Sequence, residues 1–213
     1  MRTTVLTLLR SLPQLPTPIW EFGAYHVAGQ ERRGSVRDCI RQDVIGCDLR
    51  AGPGVDRIED LHALSLPNDS IGTALLIDTI EHVARPWRAL EEVYRVLRPG
   101  GVVLMTSHLY FPIHAHPDDF WRFTMSGFGV LLAPYDIACV EAAGMPKLPH
   151  TIVGVAAKPP AESTLMEPLR CAVENWTKHA ATSWKERVMA VLPPVVLVPA
   201  YDAFMRLLQR RPR

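Results

Sequence analysis

D-T-I-E-H-V at 78–83 and R-A-L-E-E-V-Y-R-V-L-R-P-G-G at 88–101 stand between two apolar runs, TALLIDT at 73–79 and VVLMTSH at 102–108. Near-continuous apolar runs of this length suit strands covered on both faces of a parallel sheet. The segment between them has helical period. Pro86 fits a first helical turn, and Trp87, Leu90, Val93, Tyr94 and Leu97 fall on one stripe. Pro99-Gly100-Gly101 is a stop signal. Strand, helix and strand joined by short connections make a βαβ unit. Outward from it lie three more apolar runs: PIWEFG ending at Gly23, DVIGCDL around Asp48, and TIVGVAAK ending at Lys158. The expectation is an α/β fold with a doubly wound, mostly parallel sheet.

Composition agrees with a globular protein. The chain has 213 residues, 48% hydrophobic and 21% charged, close to the averages for folded domains. Lys and Arg number 23 against 22 Asp and Glu, so no global field favours nucleic acid as a partner. Cys39, Cys47, Cys139 and Cys171 form no C-x-x-C pair, which fits buried thiols in a reducing compartment. The N-terminus lacks the long apolar core and cleavage site of a secretory signal, and no run is long enough to span a membrane plainly. A cytoplasmic location, with room for peripheral membrane contact, is the expectation.

In an open parallel sheet, ligands bind beyond the carboxyl ends of the strands. The polar residues there are Glu21 and Gly23, then Asp48, then Asp78 with Glu81 and His82 just beyond. Any one acid could simply cap a helix, but several would converge on one rim. The loop E-F-G-A-Y-H-V-A-G has glycines only at 23 and 29, too few for a pyrophosphate cradle. That disfavours an NAD-linked oxidoreductase. Asp48 comes 25 residues after Gly23, where a carboxylate can accept two ribose hydroxyls.

Taken with E-D-L at 59–61 and L-P-N-D-S at 66–70, these motifs resemble a class I S-adenosylmethionine-dependent methyltransferase of the small-molecule or glycan branch. The resemblance covers about 19–159 and is strongest over 78–101. It implies a Rossmann-like, seven-stranded sheet and S-adenosylmethionine as cofactor. By the same resemblance, Glu21 and Gly23 lie beside the methionine moiety and Asp48 binds the ribose. Leu49 packs on the adenine, Asp60 accepts from its amino group, the backbone of Leu61 meets the ring, and Asp78 closes the methionine end. Glu59 is the alternative to its neighbour Asp60. The first motif departs from the family's D/E-x-G-x-G-x-G, being reduced to Glu21-Phe22-Gly23-Ala24-Tyr25, and 30–43 is short for the family's first full helix.

The segment 108–124 follows the fourth run, where the family places acceptor-binding residues. It holds His108, His114, His116, Asp118, Asp119, Arg122 and several aromatic rings. One reading is an acceptor pocket in which His114 or His116 takes the proton of a hydroxyl nucleophile, with His82 as a third candidate. Another is a loop tied by Asp and Arg, with Trp121 and Phe123 in the core. A metal held by His114, His116 and Asp118 ranks last, so no metal is expected.

Prolines at 159 and 160 and a switch of net charge from −2 over 1–159 to +3 over 160–213 mark a boundary. The expected organisation is an N-terminal helical segment at 1–18, a methyltransferase-like domain at 19–159, and a helical C-terminal extension at 160–213. In that extension, Leu165, Leu169, Val173, Trp176 and Ala180 repeat at helical spacing. A later stripe, Tyr201, Phe204, Met205 and Leu208, ends in basic residues. It suits packing, a homodimer contact or an anionic lipid surface. The functional expectation is methyl transfer to a small molecule or glycan, at oxygen. The alternative is a catalytically degenerate fold acting as a binding module.

Overall fold

The computed structural model describes residues 3–27, 34–114, 118–145 and 148–180. Seven strands form one sheet: β1 Ile19–Phe22, β2 Val44–Asp48, β3 Arg57–Ile58, β4 Ile71–Ile77, β5 Leu97–His108, β6 Asp136–Met145 and β7 Leu148–Ala157. Their order is β3-β2-β1-β4-β5-β7-β6. The first five run parallel, whereas β7 is antiparallel to both β5 and β6. Among the described residues four α-helices accompany the sheet: α1 Thr3–Ser11, α2 Pro86–Val96, α3 Met125–Leu131 and α4 Ser163–His179.

Strand alternation explains the two cores. Ala74, Leu76, Val103 and Met105 point to one face, where α2 contributes Ala89, Leu90, Val93 and Val96 and α3 contributes Phe128. Leu75, Ile77, Val102 and Leu104 point to the other, under Val5, Leu6, Leu8 and Leu9 of α1 and Leu169, Val173 and Trp176 of α4. With both faces covered, the central strands read as unbroken apolar runs.

The five expected runs correspond to β1, β2, β4, β5 and β7. Two strands escaped the reading. β3 has only two residues, both exposed, and β6 is an edge strand of mixed burial, so neither carries an apolar pattern. The α2 stripe also needs correction. Trp87 is 53% exposed, because it sits at the first turn beyond the sheet's cover. The helix stops at Val96, before the Pro-Gly-Gly, because Leu97 already pairs with Ile71 of β4.

The first of two compact units runs through Ala180, so α4 and the Pro159-Pro160 break lie inside it. The expected division at 160 therefore falls within that unit. Trp176 Nε1 donates to the Thr4 carbonyl at 2.8 Å and reaches Thr7 Oγ1 at 3.1 Å, tying α4 to α1. The second unit, Ala181–Arg213, lies outside the described residues, and with it the stripe from Tyr201 to Leu208. Among the described residues no helix is long and apolar enough to cross a membrane.

Candidate active site

The strand order reverses between β1 and β4, and a crevice at such a point is where parallel α/β sheets take their ligands. The carboxyl ends of β1, β2 and β4 are laced together there. Gly23 and Ala24 donate their N–H groups to the Cys47 carbonyl at 2.8 and 3.0 Å. Thr79 Oγ1 lies 3.0 Å from the Phe22 carbonyl and 3.1 Å from that of Ile77. Gly23 has φ +86°, and a Cβ there would stand 2.4 Å from Thr79 Oγ1. The position thus needs glycine on both conformational and steric grounds.

Glu21 is buried in β1, and desolvation pushes its carboxyl up to about 7, opposed by the charge of Arg37. A folded carboxyl raised from 4.5 to about 7 holds a proton that the unfolded chain has lost. Its contribution to stability is full below pH 4.5 and falls as pH rises to 7, by about 3 kcal/mol at most. Urea unfolding of wild type and Glu21→Gln is expected to show this. The variant gains on wild type between pH 5 and pH 8, whereas parallel profiles would remove the assignment.

Asp48 ends β2, and its Oδ1 accepts the Arg50 N–H at 3.1 Å, with Arg50 Nε at 3.6 Å. The next residue, Leu49, is 62% exposed, an apolar side chain open at the rim. Beyond β3 the two adjacent acids divide. Glu59 is buried and accepts from Ser65 N–H at 2.9 Å and Ser65 Oγ at 2.6 Å, so it holds a turn. Asp60 is exposed, and its Oδ1 accepts from the N–H of His62 at 2.8 Å. That bond, more than the His62 ring at 2.9 Å, keeps its carboxyl below the usual range. Leu61 is half-buried against the core. Arg95 clamps this segment to α2 through the carbonyls of Leu64 and Leu66 and the carboxylate of Glu92.

Asp78 directly follows β4 with φ +51°, and its Oδ1 accepts from Thr106 Oγ1 of β5 at 2.9 Å. Glu81, fully buried, follows on a short 3-10 turn, Ile80–His82. His108, at the end of β5, stacks on Phe111 with ring centroids 4.3 Å apart. The rings of His82 and His108 meet His114 edge-on, at 4.8 and 5.7 Å. His114 is itself anchored. Its N–H donates to Asp119 Oδ2 at 2.8 Å, and its Nδ1 lies 3.1 Å from the same oxygen. Arg122 grips Asp119 through two hydrogen bonds of 2.5 and 2.6 Å and holds that carboxyl far below its ordinary value.

Of the expected residues, Glu21, Gly23, Asp48, Leu49, Asp60, Leu61 and Asp78 stand on or just beyond the ends of β1 to β4, and His114 lies beside the end of β5. His116 lies outside the described residues. Phe123 is buried as expected of the tied-loop reading, but Trp121 is 36% exposed and packs against Trp87, so it does not belong to the core. Sequence reasoning passed over Thr79 and Thr106, and it named Glu81 and His108 without bringing them together. The signal was present in the Asp78-x-x-Glu81 spacing and in a histidine at the end of the neighbouring strand.

These residues fit an S-adenosyl ligand. The tight turn at Gly23 keeps the β1 rim free of a side chain, Asp48 and Asp60 offer carboxylates of the kind that accept from a ribose diol and an adenine amino group, and Leu49 offers an apolar surface. The methyltransferase domain family matches residues 28–105. An "uncharacterized methyltransferase" of Mycobacterium ulcerans is 34% identical over 94 residues, which cover 44% of this chain and 37% of the relative. Another, from Mycolicibacterium vanbaalenii, is 43% identical over 55 residues, 25% of this chain and 22% of the relative. The chain thus matches well under half the length of these curated relatives. Among solved structures, an S-adenosylmethionine-dependent methyltransferase from Mesorhizobium loti has a TM-score of 0.54 at 19% identity, covering 74% of this chain and 98% of that one. The [4+2]-cyclase SpnF has a TM-score of 0.55 at 14% identity, covering 73% and 79%. Likeness at this identity speaks for the fold, and that fold hosts more than one chemistry. The match over 28–105 and the likeness of fold make this chain similar to class I S-adenosylmethionine-dependent methyltransferases.

Proposed function

We propose that the protein transfers a methyl group from S-adenosylmethionine to a hydroxyl of a small-molecule or glycan acceptor. The observation that supports this most is the set of carboxylates at the ends of successive strands, Glu21, Asp48, Asp60 and Asp78, around the crevice where the strand order reverses. The cofactor, when bound, supplies an electrophilic methyl on a sulfonium. What the chain supplies is position and a proton acceptor. The Asp119 carboxylate and the Pro112 carbonyl, both beside His114 Nδ1, are acceptors. Nδ1 therefore carries the hydrogen in the neutral ring, and Nε2 is the basic nitrogen. Arg122 keeps Asp119 ionised and in place, so it orients the imidazole through Asp119.

The test is turnover of S-adenosylmethionine to S-adenosylhomocysteine in an acceptor screen. His114→Ala is expected to lower turnover on an identified acceptor by about 100-fold with cofactor affinity unchanged. Equal turnover in His114→Ala and His116→Ala would remove general base catalysis from this loop.

A second reading has its own observation. The loop at 50–56 folds against the shortened first motif. The Arg50 guanidinium lies 4.4 Å over the Tyr25 ring, and the His26 N–H donates to the Pro53 carbonyl at 2.9 Å. A binding module without catalysis would keep such a closed loop. Cofactor binding without turnover on any acceptor class favours this reading.

A further inference from the structure

We infer that Asp78, Glu81 and His108 form a binding site for a divalent first-row cation. His108 Nε2 lies 3.6 Å from Glu81 Oε1 and 3.8 Å from Asp78 Oδ2, and one ligand atom from each residue falls within 4.8 Å of the others. Nitrogen and oxygen ligands about 2.1 Å from one ion at tetrahedral angles stand about 3.4 Å apart. The two distances from His108 therefore need only a few tenths of an ångström of contraction, and the two carboxylates lie within 4.8 Å of each other. The three residues are held for the task. Asp78 is fixed by Thr106 Oγ1, His108 by its stack on Phe111, and Glu81 by the backbone of its turn, whose carbonyl accepts from Phe120 and Trp121 at 2.9 and 3.2 Å. Outer contacts of this kind orient metal ligands.

Charge favours the same assignment. Two carboxylates and one imidazole share a space where each side chain is at most 8% exposed. A protonated imidazole would balance only one of the two. A divalent ion would oppose both carboxylates at once in the low-dielectric interior. One imidazole and two carboxylates suit Mn²⁺ or Zn²⁺, and three protein ligands leave a coordination position for water or an acceptor oxygen. The site differs from the sequence-level candidate of His114, His116 and Asp118. It shares Asp78 with the proposed cofactor rim, but Glu81 and His108 belong to it alone, and ion binding does not depend on methyl transfer.

The test uses the full chain, stripped with a chelator and titrated with Mn²⁺ under electron paramagnetic resonance, with Zn²⁺ as competitor. One Mn²⁺ per chain, displaced by Zn²⁺, is expected. Glu81→Gln and His108→Gln, which preserve side-chain bulk, are expected to weaken binding by at least about 100-fold, since loss of a direct ligand exceeds the effect of an outer contact. Thermal melts establish that each variant is folded. If only one of the two folds, that variant alone decides. Failure of the folded wild type to bind either ion at millimolar concentration would overturn the site. So would binding that survives these substitutions but is lost in His114→Gln. Cofactor calorimetry on the same samples separates this outcome from failure of the methyl-transfer reading.

Discussion

Gly23→Val is expected to destabilise the protein by about 3–5 kcal/mol and to remove measurable cofactor binding. Two costs add. A β-branched residue at φ +86° bears the left-handed penalty of about 1–2 kcal/mol. Its Cβ would then meet Thr79 at 2.4 and 2.6 Å, far inside contact distance. Thr79 cannot rotate away cheaply, because its hydroxyl serves the Phe22 and Ile77 carbonyls. Relief therefore requires β1 and β4 to part at the crevice proposed to hold the cofactor. Denaturant unfolding with calorimetry on each variant checks both halves. Pairing Gly23→Ala with Thr79→Gly is expected to recover the steric part of the loss but not the backbone part. A Gly23→Val protein with wild-type stability would mean that the turn is not as described.

Trp176→Ala is expected to cost about 3–5 kcal/mol, the range for deleting a buried aromatic side chain. Trp176 is 7% exposed, fills the core shared by α1, α4 and the sheet, and donates its indole N–H to Thr4 at 2.8 Å. Its removal leaves a cavity and withdraws a hydrogen-bond donor from both Thr4 and Thr7. A chain ending at Pro160 would suffer more, since Leu169 and Val173 also cover this face. Chemical unfolding of Trp176→Ala measures the effect. A change below about 1 kcal/mol would show that α4 contributes little to the core.

The parts legible in the sequence are those where one physical demand dominates. β4 and β5 are covered on both faces, so their apolar runs announce them. α2 has a single buried stripe and a proline at its first turn. Gly23 and the strand-end acids could be located because a parallel sheet puts its ligands at one edge. What stayed hidden depends on contacts between distant segments. β3 is too short to carry a pattern, and β6 is exposed on an edge. Asp60 and Glu59 are indistinguishable in sequence, yet a turn closed by Ser65 buries one and leaves the other at the surface. His108 looked like one of several histidines in a loop. It is the last residue of β5, and the parallel register with β4 brings it to Asp78 and Glu81. The helical spacing in 165–180 was visible, but that it covers the sheet and reaches back to Thr4 was not.

The most direct test of the central claim is calorimetry of the purified full chain with S-adenosylhomocysteine. The account expects one saturable site per chain, weakened about 5- to 100-fold by Asp48→Ala, the loss of about 1–3 kcal/mol for hydroxyls left unpaired. A folded wild type that gives no heat and no thermal shift at millimolar ligand, or an Asp48→Ala variant that binds as tightly as wild type, would contradict it.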